Sequence, residues 1–312
     1  VIQILPDFIS IGECMIELYS EQPIDVADTF TRSFAGDSLN IAVAASRMGT
    51  SVGYITRLGS DPFAAYLLKA WRDEGVDTTH VKTVDGFNAV HFVAQLPDGD
   101  REFVYYRRGS APSTMQPSDL DPSYIAGARI MHLSGIAQAI SPSARATVLR
   151  AAEIAHDAGV DVSYDPNYRH QLWSPPDARD AMREVMPYVT YFLPSCPVDT
   201  QVLFDTSDPQ LAIHCAQELG VRLTAVTCGA DGAVVSDGHE VFHVPAYTPD
   251  AVVDTTGAGD AFNGAFLHGL LDGLSVREAA RLGSIAAGLK LRGRGALAAM
   301  PSRDEVYLVF GS

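Results

Sequence analysis

The chain has 312 residues, of which 22 are basic and 38 acidic, and its formal net charge is -16 at pH 7. Nucleic acids and anionic membranes are bound through basic surfaces, so this balance argues against both as main partners. The hydrophobic fraction of 47% can fill a sizeable core, and no segment approaches the ~20 apolar residues of a membrane span. The cysteines are far apart without a CxxC spacing, which predicts reduced thiols and a cytoplasmic location. They are Cys14, Cys196, Cys215 and Cys228.

Short apolar segments alternate with longer segments of helical pattern along most of the chain. The predicted strands are Phe8–Gly12, Ser51–Arg57, Ile130–Ser134, Val160–Tyr164, Tyr191–Pro194 and Leu223–Thr227. The predicted helices are Leu39–Met48, Ala64–Glu74, Pro142–Ala158, Ala178–Met186 and Leu211–Leu219. This alternation predicts an α/β fold with a mostly parallel central sheet and helices on both faces.

Residues 13–35 and 88–109 interrupt this rhythm and resemble antiparallel β structure. In the second segment, the turn signal Asp98-Gly99 separates His91–Leu96 from Glu102–Tyr106. We expect a small β lid over the strand ends, within one domain that spans residues 1–312.

The most informative segment is a polar, glycine-rich turn that leads into an apolar helix pattern at Ala261–Leu271. Gly257 and Gly259 allow a tight turn and close approach to a ligand, and free amides at a helix N-terminus favour negative charge. Asp260, in the first turn of the helix, can accept a proton from a hydroxyl group. Donors for phosphoryl oxygens beside a base for an alcohol are what phosphoryl transfer requires. The alternative is a capped helix in which Asp260 only complements the helix dipole.

Other nucleotide-binding motifs fit less well. The GAGDAF segment lacks the third glycine of the dinucleotide fingerprint, and the chain has no GxxxxGK[ST] P-loop. The segment 239–243 (HEVFH) matches the HExxH zinc pattern, which requires a helix. It follows the Asp237-Gly238 turn and alternates like a strand, where positions four apart are ~13 Å apart. We therefore expect a hairpin strand there and no zinc site.

Residues 254–262 (DTTGAGDAF) resemble the second signature of the ribokinase-like (PfkB) carbohydrate kinases, and residues 35–42 (AGDSLNIA) with 47–49 (RMG) resemble the first. The resemblance covers nearly the whole chain and implies a ribokinase-like fold and ATP-dependent phosphorylation of a sugar, with Mg²⁺. It implies that Asp260 is the catalytic base and that the amides of Gly257, Ala258 and Gly259 form an anion hole. Exposed lid strands in this family often pair between subunits, so the resemblance leads us to expect a homo-oligomer formed through the lid.

The resemblance also implies a nucleotide site and a cation site. Thr227, Gly229 and Gly232, in the segment TCGADG, resemble the family's nucleotide-binding turn. Asp254 and the loop 292–295 (RGRG) fall where related enzymes hold a monovalent cation such as K⁺. The family's Asn-x-x-Glu segment is altered here to 193–199 (LPSCPVD), in which Ser195 replaces the Asn and Asp199 approximates the acid one position out of register.

Several segments resemble one branch of the family, the 2-keto-3-deoxygluconate kinases: 11–18 (IGECMIEL), 105–107 (YYR), 133–136 (LSGI) and 165–169 (DPNYR). Arg107 and Arg169 are candidates to bind the carboxylate of such a substrate in bidentate fashion. The resemblance implies that Gly36 and Asn40 bind sugar oxygens and that Tyr106 covers the sugar. His91 stands where this branch often has a tyrosine.

The predicted reaction transfers the ATP γ-phosphoryl group to the terminal 6-hydroxyl of 2-keto-3-deoxygluconate. Fructokinase is the alternative within the family, because those enzymes share the scaffold and bind a neutral hexose. A nucleoside kinase is disfavoured by the two arginines. From another class, a sugar-binding regulator that has lost catalysis would keep the scaffold; the intact Asp260 argues against it and the altered Ser195 segment argues for it.

Overall fold

The computed structural model describes residues 5–96 and 101–311, and within them the chain alternates between strands and helices as the sequence predicts. The predicted Asp98-Gly99 turn lies outside the described residues. The strands are β1 Phe8–Ile11, β2 Met15–Ser20, β3 Thr31–Ala35, β4 Val52–Gly59, β5 Val76–Asp77, β6 Val81–Val84, β7 Val90–Gln95, β8 Arg101–Tyr106, β9 Ile130–Ser134, β10 Asp161–Asp165, β11 Tyr191–Phe192, β12 Leu223–Thr227, β13 Ala233–Ser236 and β14 Val241–Val244. The α-helices are α1 Asp37–Met48, α2 Phe63–Asp73, α3 Pro122–Ala126, α4 Gly135–Ala139, α5 Pro142–Asp157, α6 Pro175–Val185, α7 Val198–Phe204, α8 Pro209–Glu218, α9 Ala258–Leu271, α10 Val276–Lys290 and α11 Arg303–Phe310.

The central sheet has the strand order β14-β13-β12-β11-β10-β9-β1-β4-β5, and β6 also pairs with β4. Its strands from β12 to β5 run parallel, and β13 and β14 add an antiparallel edge. Successive residues of β1 serve opposite faces: Phe8 belongs to one buried cluster and Ile9 to the other. Helices therefore cover both faces, as predicted for a mostly parallel sheet.

A separate four-stranded sheet, the lid sheet, is formed by β3, β2, β7 and β8 in that order. The two predicted segments form antiparallel pairs, β2 with β3 and β7 with β8, and a parallel pairing of β2 with β7 joins them. In this pairing the backbone of Glu17 lies opposite that of His91, and His91 lies opposite Tyr105. The lid sheet thus places side chains from three strands on one surface.

Helix ends differ from the predictions where proline begins a helix. The pattern predicts helices from Ala178 and Leu211, but α6 begins at Pro175 after the N-cap Ser174, and α8 at Pro209 after the N-cap Asp208. Proline is favoured in the first turn because its missing N–H would have no helical partner there. The HEVFH segment contributes to strand β14, which confirms that it is not a helix.

Candidate active site

A cavity of about 800 Å³ lies between the carboxyl ends of the central strands and the lid sheet. Open parallel sheets bind ligands at this edge because the loops after the strands converge there. Residues that follow β1, β10 and β11 line it, together with the last residue of β12, the start of α9 and one surface of the lid sheet. The volume is within the range of small-molecule sites.

Most of the residues singled out in the sequence line this one cavity. They are Gly36, Asn40, His91, Arg107, Arg169, Ser195, Thr227, Gly257, Gly259 and Asp260. The other candidates, Tyr106, Ala258, Gly229, Gly232 and Asp254, do not line it. The first and second signature segments, far apart in sequence, therefore meet at one cavity.

The placement expected for Tyr106 is wrong. Side chains alternate along β8, so that Phe103 and Tyr105 line the cavity and Tyr106 points away from it. Tyr106 is 62% exposed and packs edge-on against Phe92. Tyr105 stacks on His91 with 5.7 Å between ring centroids, so it is the tyrosine placed to cover a ligand.

The two glycines of the TCGADG turn have positive φ angles, +58° at Gly229 and +88° at Gly232. A Cβ atom on Gly232 would approach the carbonyl oxygen of Val244 to 2.1 Å. Glycine at that position is therefore explained by the close packing of the turn on β14. Thr227, at the end of β12, reaches the cavity, while a nucleotide role for the two glycines stays a prediction.

Asp260 lies in the first turn of α9, where its carboxylate accepts a 2.7 Å hydrogen bond from Nδ2 of Asn40 on α1. Burial raises the pKa of Asp260 to about 7; the Asn40 hydrogen bond lowers it, and the nearby carboxylate of Asp37 raises it. A carboxyl group that titrates near neutrality is suited to general base catalysis.

The turn before α9 presents amide groups to the cavity. Gly257 has a φ of +79°, and the N–H of Ala258 donates to the carbonyl of Thr255 at 3.2 Å. Within the described part of the chain, no hydrogen bond uses the N–H of Gly257 or of Gly259. Two of the three amides predicted for an anion hole therefore remain available to a ligand.

Three further buried carboxylates line the cavity with Asp260: Asp37, Asp165 and Asp199. Burial raises the pKa of each, and the pKa of Asp165 is raised further by Asp199 and Asp260. Such a set favours a bound cation. No group of three or more His, Cys, Asp or Glu side chains in residues 5–96 and 101–311 is arranged to hold a metal by itself. Mg²⁺ carried by ATP needs only one or two carboxylates besides the phosphates, so Asp165 and Asp199 fit it.

The altered Ser195 segment, just after the end of β11, is held together by hydrogen bonds to Asp199. Asp199 accepts hydrogen bonds from the N–H of Ser195 at 2.7 Å, from the Oγ of Ser195 at 2.6 Å and from the N–H of Tyr168 at 2.7 Å. Ser195 and Asp199 both line the cavity. The segment therefore brings a serine and a carboxylate together there, despite the shift in register.

The two candidate arginines differ in their surroundings. Arg107 forms an ion pair with Glu13, a residue that is 1% exposed, and burial raises the pKa of Glu13 despite this partner. The Nε of Arg107 is buried and has no hydrogen-bond partner in the described structure. Arg169 is exposed and forms no ion pair within the described residues, although it lies near enough to Asp165 and Asp260 to lower their pKa values.

Asp254 lies just outside the cavity, beneath the turn that precedes α9. Although burial opposes it, hydrogen bonds from the N–H groups of Thr256 (2.6 Å) and Gly295 (2.8 Å) hold the pKa of Asp254 below its usual value. Arg101, from the lid strand β8, pairs with the same carboxylate at 2.7 Å. The ammonium of Lys290 lies 3.9 Å from it.

Sequence reasoning missed several of these residues. Asp37 and Asp165 stand inside segments already singled out, directly after Gly36 and at the end of a predicted strand, so position could have identified them. Lys290 lies between Leu289 and Leu291, and a cation in an apolar run is a signal of burial. Glu13 and Arg101 act through partners about 90 or more positions away, for which a single sequence carries no signal.

The fold and the cavity define a nucleotide-dependent phosphotransferase of the α/β class. The family model described as pfkB family carbohydrate kinase matches residues 6–303. The chain belongs to this family, and it is a kinase with an alcohol group as acceptor. No helix among the described residues combines the length and the apolar character needed to cross a membrane.

Similar proteins cover nearly the full length. The chain is 35% identical to the 2-dehydro-3-deoxygluconokinase of Thermoproteus tenax, over 95% of this chain and 92% of that protein. It is 33% identical to the 2-dehydro-3-deoxygalactonokinase of Haloferax volcanii, over 97% and 96%. It is 31% identical to "Probable fructokinase-2" of Arabidopsis thaliana, over 95% and 93%.

Solved structures agree with the ribokinase-like fold. A PfkB protein from Polaromonas sp. JS666 superimposes with a TM-score of 0.88 at 31% identity, over 97% of this chain and 99% of that one. An E. coli protein of the ribokinase II type, solved with ATP and Mg²⁺, gives a TM-score of 0.90 at 26% identity, over 98% and 99%. A structural neighbour of this chain thus binds ATP together with Mg²⁺.

Proposed function

We propose that the chain transfers the γ-phosphoryl group of ATP to the 6-hydroxyl of 2-keto-3-deoxygluconate (2-dehydro-3-deoxygluconate). The single observation that carries the proposal is the position of Asp260. A carboxyl group with a pKa of about 7 lies at the N-terminus of α9, beside the free amides of Gly257 and Gly259, in the cavity that also holds Arg169. A base, an anion hole and a carboxylate-binding group are then within one site.

In the proposed reaction, the sugar's 6-hydroxyl gives its proton to Asp260 as its oxygen bonds to the γ-phosphorus. The bond between the γ-phosphorus and the bridging oxygen breaks, and ADP leaves. The N–H groups of Gly257 and Gly259 would donate to the transferring phosphoryl oxygens. Mg²⁺, when bound with ATP, supplies charge neutralisation of the phosphates, and Asp165 and Asp199 would hold it.

Recognition of the acid sugar would depend on the two arginines. Arg169 has no ion-pair partner within the described residues, so its guanidinium is available to a substrate carboxylate. Arg107 also lines the cavity, where Glu13 fixes its guanidinium, while its Nε is buried. Asn40 and the backbone beside Gly36 would contact sugar oxygens, and Tyr105 and His91 would close over the ring.

One observation favours a neutral hexose as a second candidate. Glu13 already neutralises Arg107, and Glu17 pairs with His91 at 3.1 Å, so the sugar end of the cavity carries little net positive charge. Fructose would suit that surface, and the similarity to a plant protein named as a fructokinase supports it. 2-Keto-3-deoxygalactonate is a third candidate, since a relative at 33% identity carries that name.

The test is ADP release with Mg²⁺ and ATP against 2-keto-3-deoxygluconate, 2-keto-3-deoxygalactonate, fructose, ribose and adenosine. We expect a strong preference for a 2-keto-3-deoxy acid, and ³¹P NMR of the product should show a 6-phosphate. Preference for fructose would contradict the proposed substrate but not the proposed base or the fold. No ADP release with any of the five compounds would favour a regulator that binds sugar without catalysis.

Two variants test the assigned roles. Asp260→Asn should nearly abolish turnover while the protein stays folded; more than a tenth of wild-type rate would contradict the base. Arg169→Ala should raise KM for the acid sugar by roughly 10- to 100-fold, the loss of a charge-assisted hydrogen bond. KM for fructose should not change. Equal losses for both sugars would remove the argument for a carboxylate contact.

A further inference from the structure

Lys290 is the last residue of α10, and its side chain has no exposed surface. Its ammonium donates to the carbonyl oxygen of Asp254 at 2.9 Å and to that of Gly293 at 3.3 Å, and it lies 3.9 Å from the Asp254 carboxylate. Burial lowers the pKa of Lys290, and Asp254 opposes that effect. A lysine so completely buried needs compensating partners, and two carbonyls with a carboxylate supply them.

These contacts join the two loops that support the anion hole: the first is the turn before α9 (254–257), and the second is the loop after α10 (292–296). One carboxylate oxygen of Asp254 accepts from the N–H of Thr256, next to Gly257, and the other accepts from Gly295. Gly257 packs so closely on the second loop that a Cβ atom there would be 2.9 Å from the Cβ of Ala296. The positive charge at Lys290 Nζ therefore holds two pieces of backbone: Asp254, just before the turn that leads into α9, and Gly293, in the loop that packs against this turn.

Backbone carbonyls together with a carboxylate are also the ligands that a monovalent metal cation takes. The sequence resemblance leads to the expectation that such a cation lies at Asp254 and the RGRG loop. The residues present do not fit it. The Lys290 ammonium takes up the two carbonyls, and Arg101 pairs with Asp254 from the lid side, so a third positive charge would be repelled.

We propose that Lys290 is a built-in cation that replaces a monovalent metal ion beneath the anion hole, so that this kinase needs no K⁺. Lys290 touches neither substrate nor ATP and is a positioning residue. Its charge orders the loops of Asp254 and Gly295 and, through Thr256, the amide of Gly257. The proposal rests on the catalytic role proposed above for that turn.

The first arm of the test uses the wild-type protein. Turnover of ATP with 2-keto-3-deoxygluconate is measured in KCl and in choline chloride at equal ionic strength. We expect a difference below about fivefold, the lower end of typical coupling between two bound ligands. Activation by K⁺ beyond that would overturn the proposal without any variant having to fold.

The second arm uses variants. Lys290→Ala removes the ammonium and leaves space beside the two carbonyls; turnover in choline chloride should fall about 10- to 100-fold, and KCl or NH₄Cl should restore most of it. Lys290→Met fills the space without charge and should not be rescued. Lys69→Ala, which removes an exposed lysine paired with Asp73, is the control and should match wild type in both salts.

A readout without turnover separates this proposal from the proposed function. Thermal unfolding of ligand-free Lys290→Ala should shift upward by ~3 °C when KCl replaces choline chloride, because a cation that binds only the folded state stabilises it. Wild type and Lys290→Met should not shift. A Lys290→Ala protein with wild-type turnover, or one that no cation rescues in either assay, would show that Lys290 is only a structural ion-pair member.

Discussion

Asn40 and Asp260, which are 220 positions apart, are joined by a 2.7 Å hydrogen bond from Nδ2 of Asn40 to Oδ2 of Asp260. The bond links the first family signature, on α1, to the second, on α9. Because the amide donates to the carboxylate, it favours the charged form of Asp260 and opposes the rise in pKa caused by burial. The first signature segment thus lowers the pKa of the residue proposed as the base.

The first prediction concerns the pH dependence of turnover. Asp260 must be deprotonated to act as a base and its pKa is about 7, so kcat should rise tenfold per pH unit below pH 6 and reach a plateau above pH 8. Asn40→Ala removes the hydrogen bond that lowers this pKa, so the profile should move to higher pH. Steady-state kinetics from pH 5 to 9 give both profiles. An unchanged midpoint in Asn40→Ala would separate that residue from the base.

The second prediction concerns stability. A carboxyl group whose pKa is about 7 in the folded protein and 3.8 in the unfolded chain destabilises the fold increasingly as pH rises from 4 to 7. Asp260→Asn should therefore be more stable than wild type at pH 8, by at most about 4 kcal/mol, and equal to it at pH 4. Urea unfolding of the ligand-free proteins at both pH values measures the difference. Lower stability of the variant at pH 8 would contradict the raised pKa.

The architecture could be predicted from the sequence because each element carries its own signal. The predicted strand Ile130–Ser134 is confirmed residue for residue, and the helix predicted over Pro142–Ala158 ends one residue earlier. Parallel strands buried on both faces are nearly continuous apolar runs, and a serine followed by proline marks a helix start. The positions of Gly257 and Asp260 at the start of α9 follow from the same local rules.

The charge pairing in the site could not be predicted, because it depends on contacts between distant segments. Arg107 resembles an exposed lid residue in the sequence, yet the pairings of β8 with β7 and of β7 with β2 bring it to Glu13. Lys290 resembles a helix C-terminal cation, and only the approach of the loops at Asp254 and Gly293 shows that it is enclosed. The position expected for Tyr106 was wrong because side chains alternate along β8, and the register of the strand decides which of them face the cavity.

The third prediction distinguishes Gly257 from Gly259, the two glycines of the proposed anion hole. Gly257 has a φ of +79° and no room for a Cβ beside Ala296, so Gly257→Ala should lower the free energy of unfolding by about 1–3 kcal/mol. A Cβ atom on Gly259 meets nothing within 4 Å because it faces the cavity. Gly259→Ala should therefore unfold like wild type but lose turnover. Equal stability of the two variants would contradict the strain at Gly257.

The fourth prediction concerns the ion pair of Arg107 with Glu13. Arg107→Ala leaves Glu13 buried without a cation, which should cost about 3–5 kcal/mol at pH 8. Burial raises the pKa of Glu13, and loss of Arg107 raises it further. The destabilisation should therefore be smaller at pH 5, where Glu13 can protonate, and Glu13→Gln in the same variant should remove most of it. Urea unfolding at both pH values measures these effects.

The surface pair of Arg145 with Glu184 provides the control, because Arg145→Ala should cost at most ~1 kcal/mol with no dependence on pH. An equal loss of stability from Arg107→Ala at pH 5 and pH 8, or no recovery with Glu13→Gln, would contradict the burial of Glu13.

The double variant Arg107→Ala with Glu13→Gln also isolates the substrate contact, since it removes the guanidinium without leaving a buried charge. Because Arg107 lines the cavity, a contact of its guanidinium with an acid sugar should give this stable double variant a raised KM for 2-keto-3-deoxygluconate and an unchanged KM for fructose.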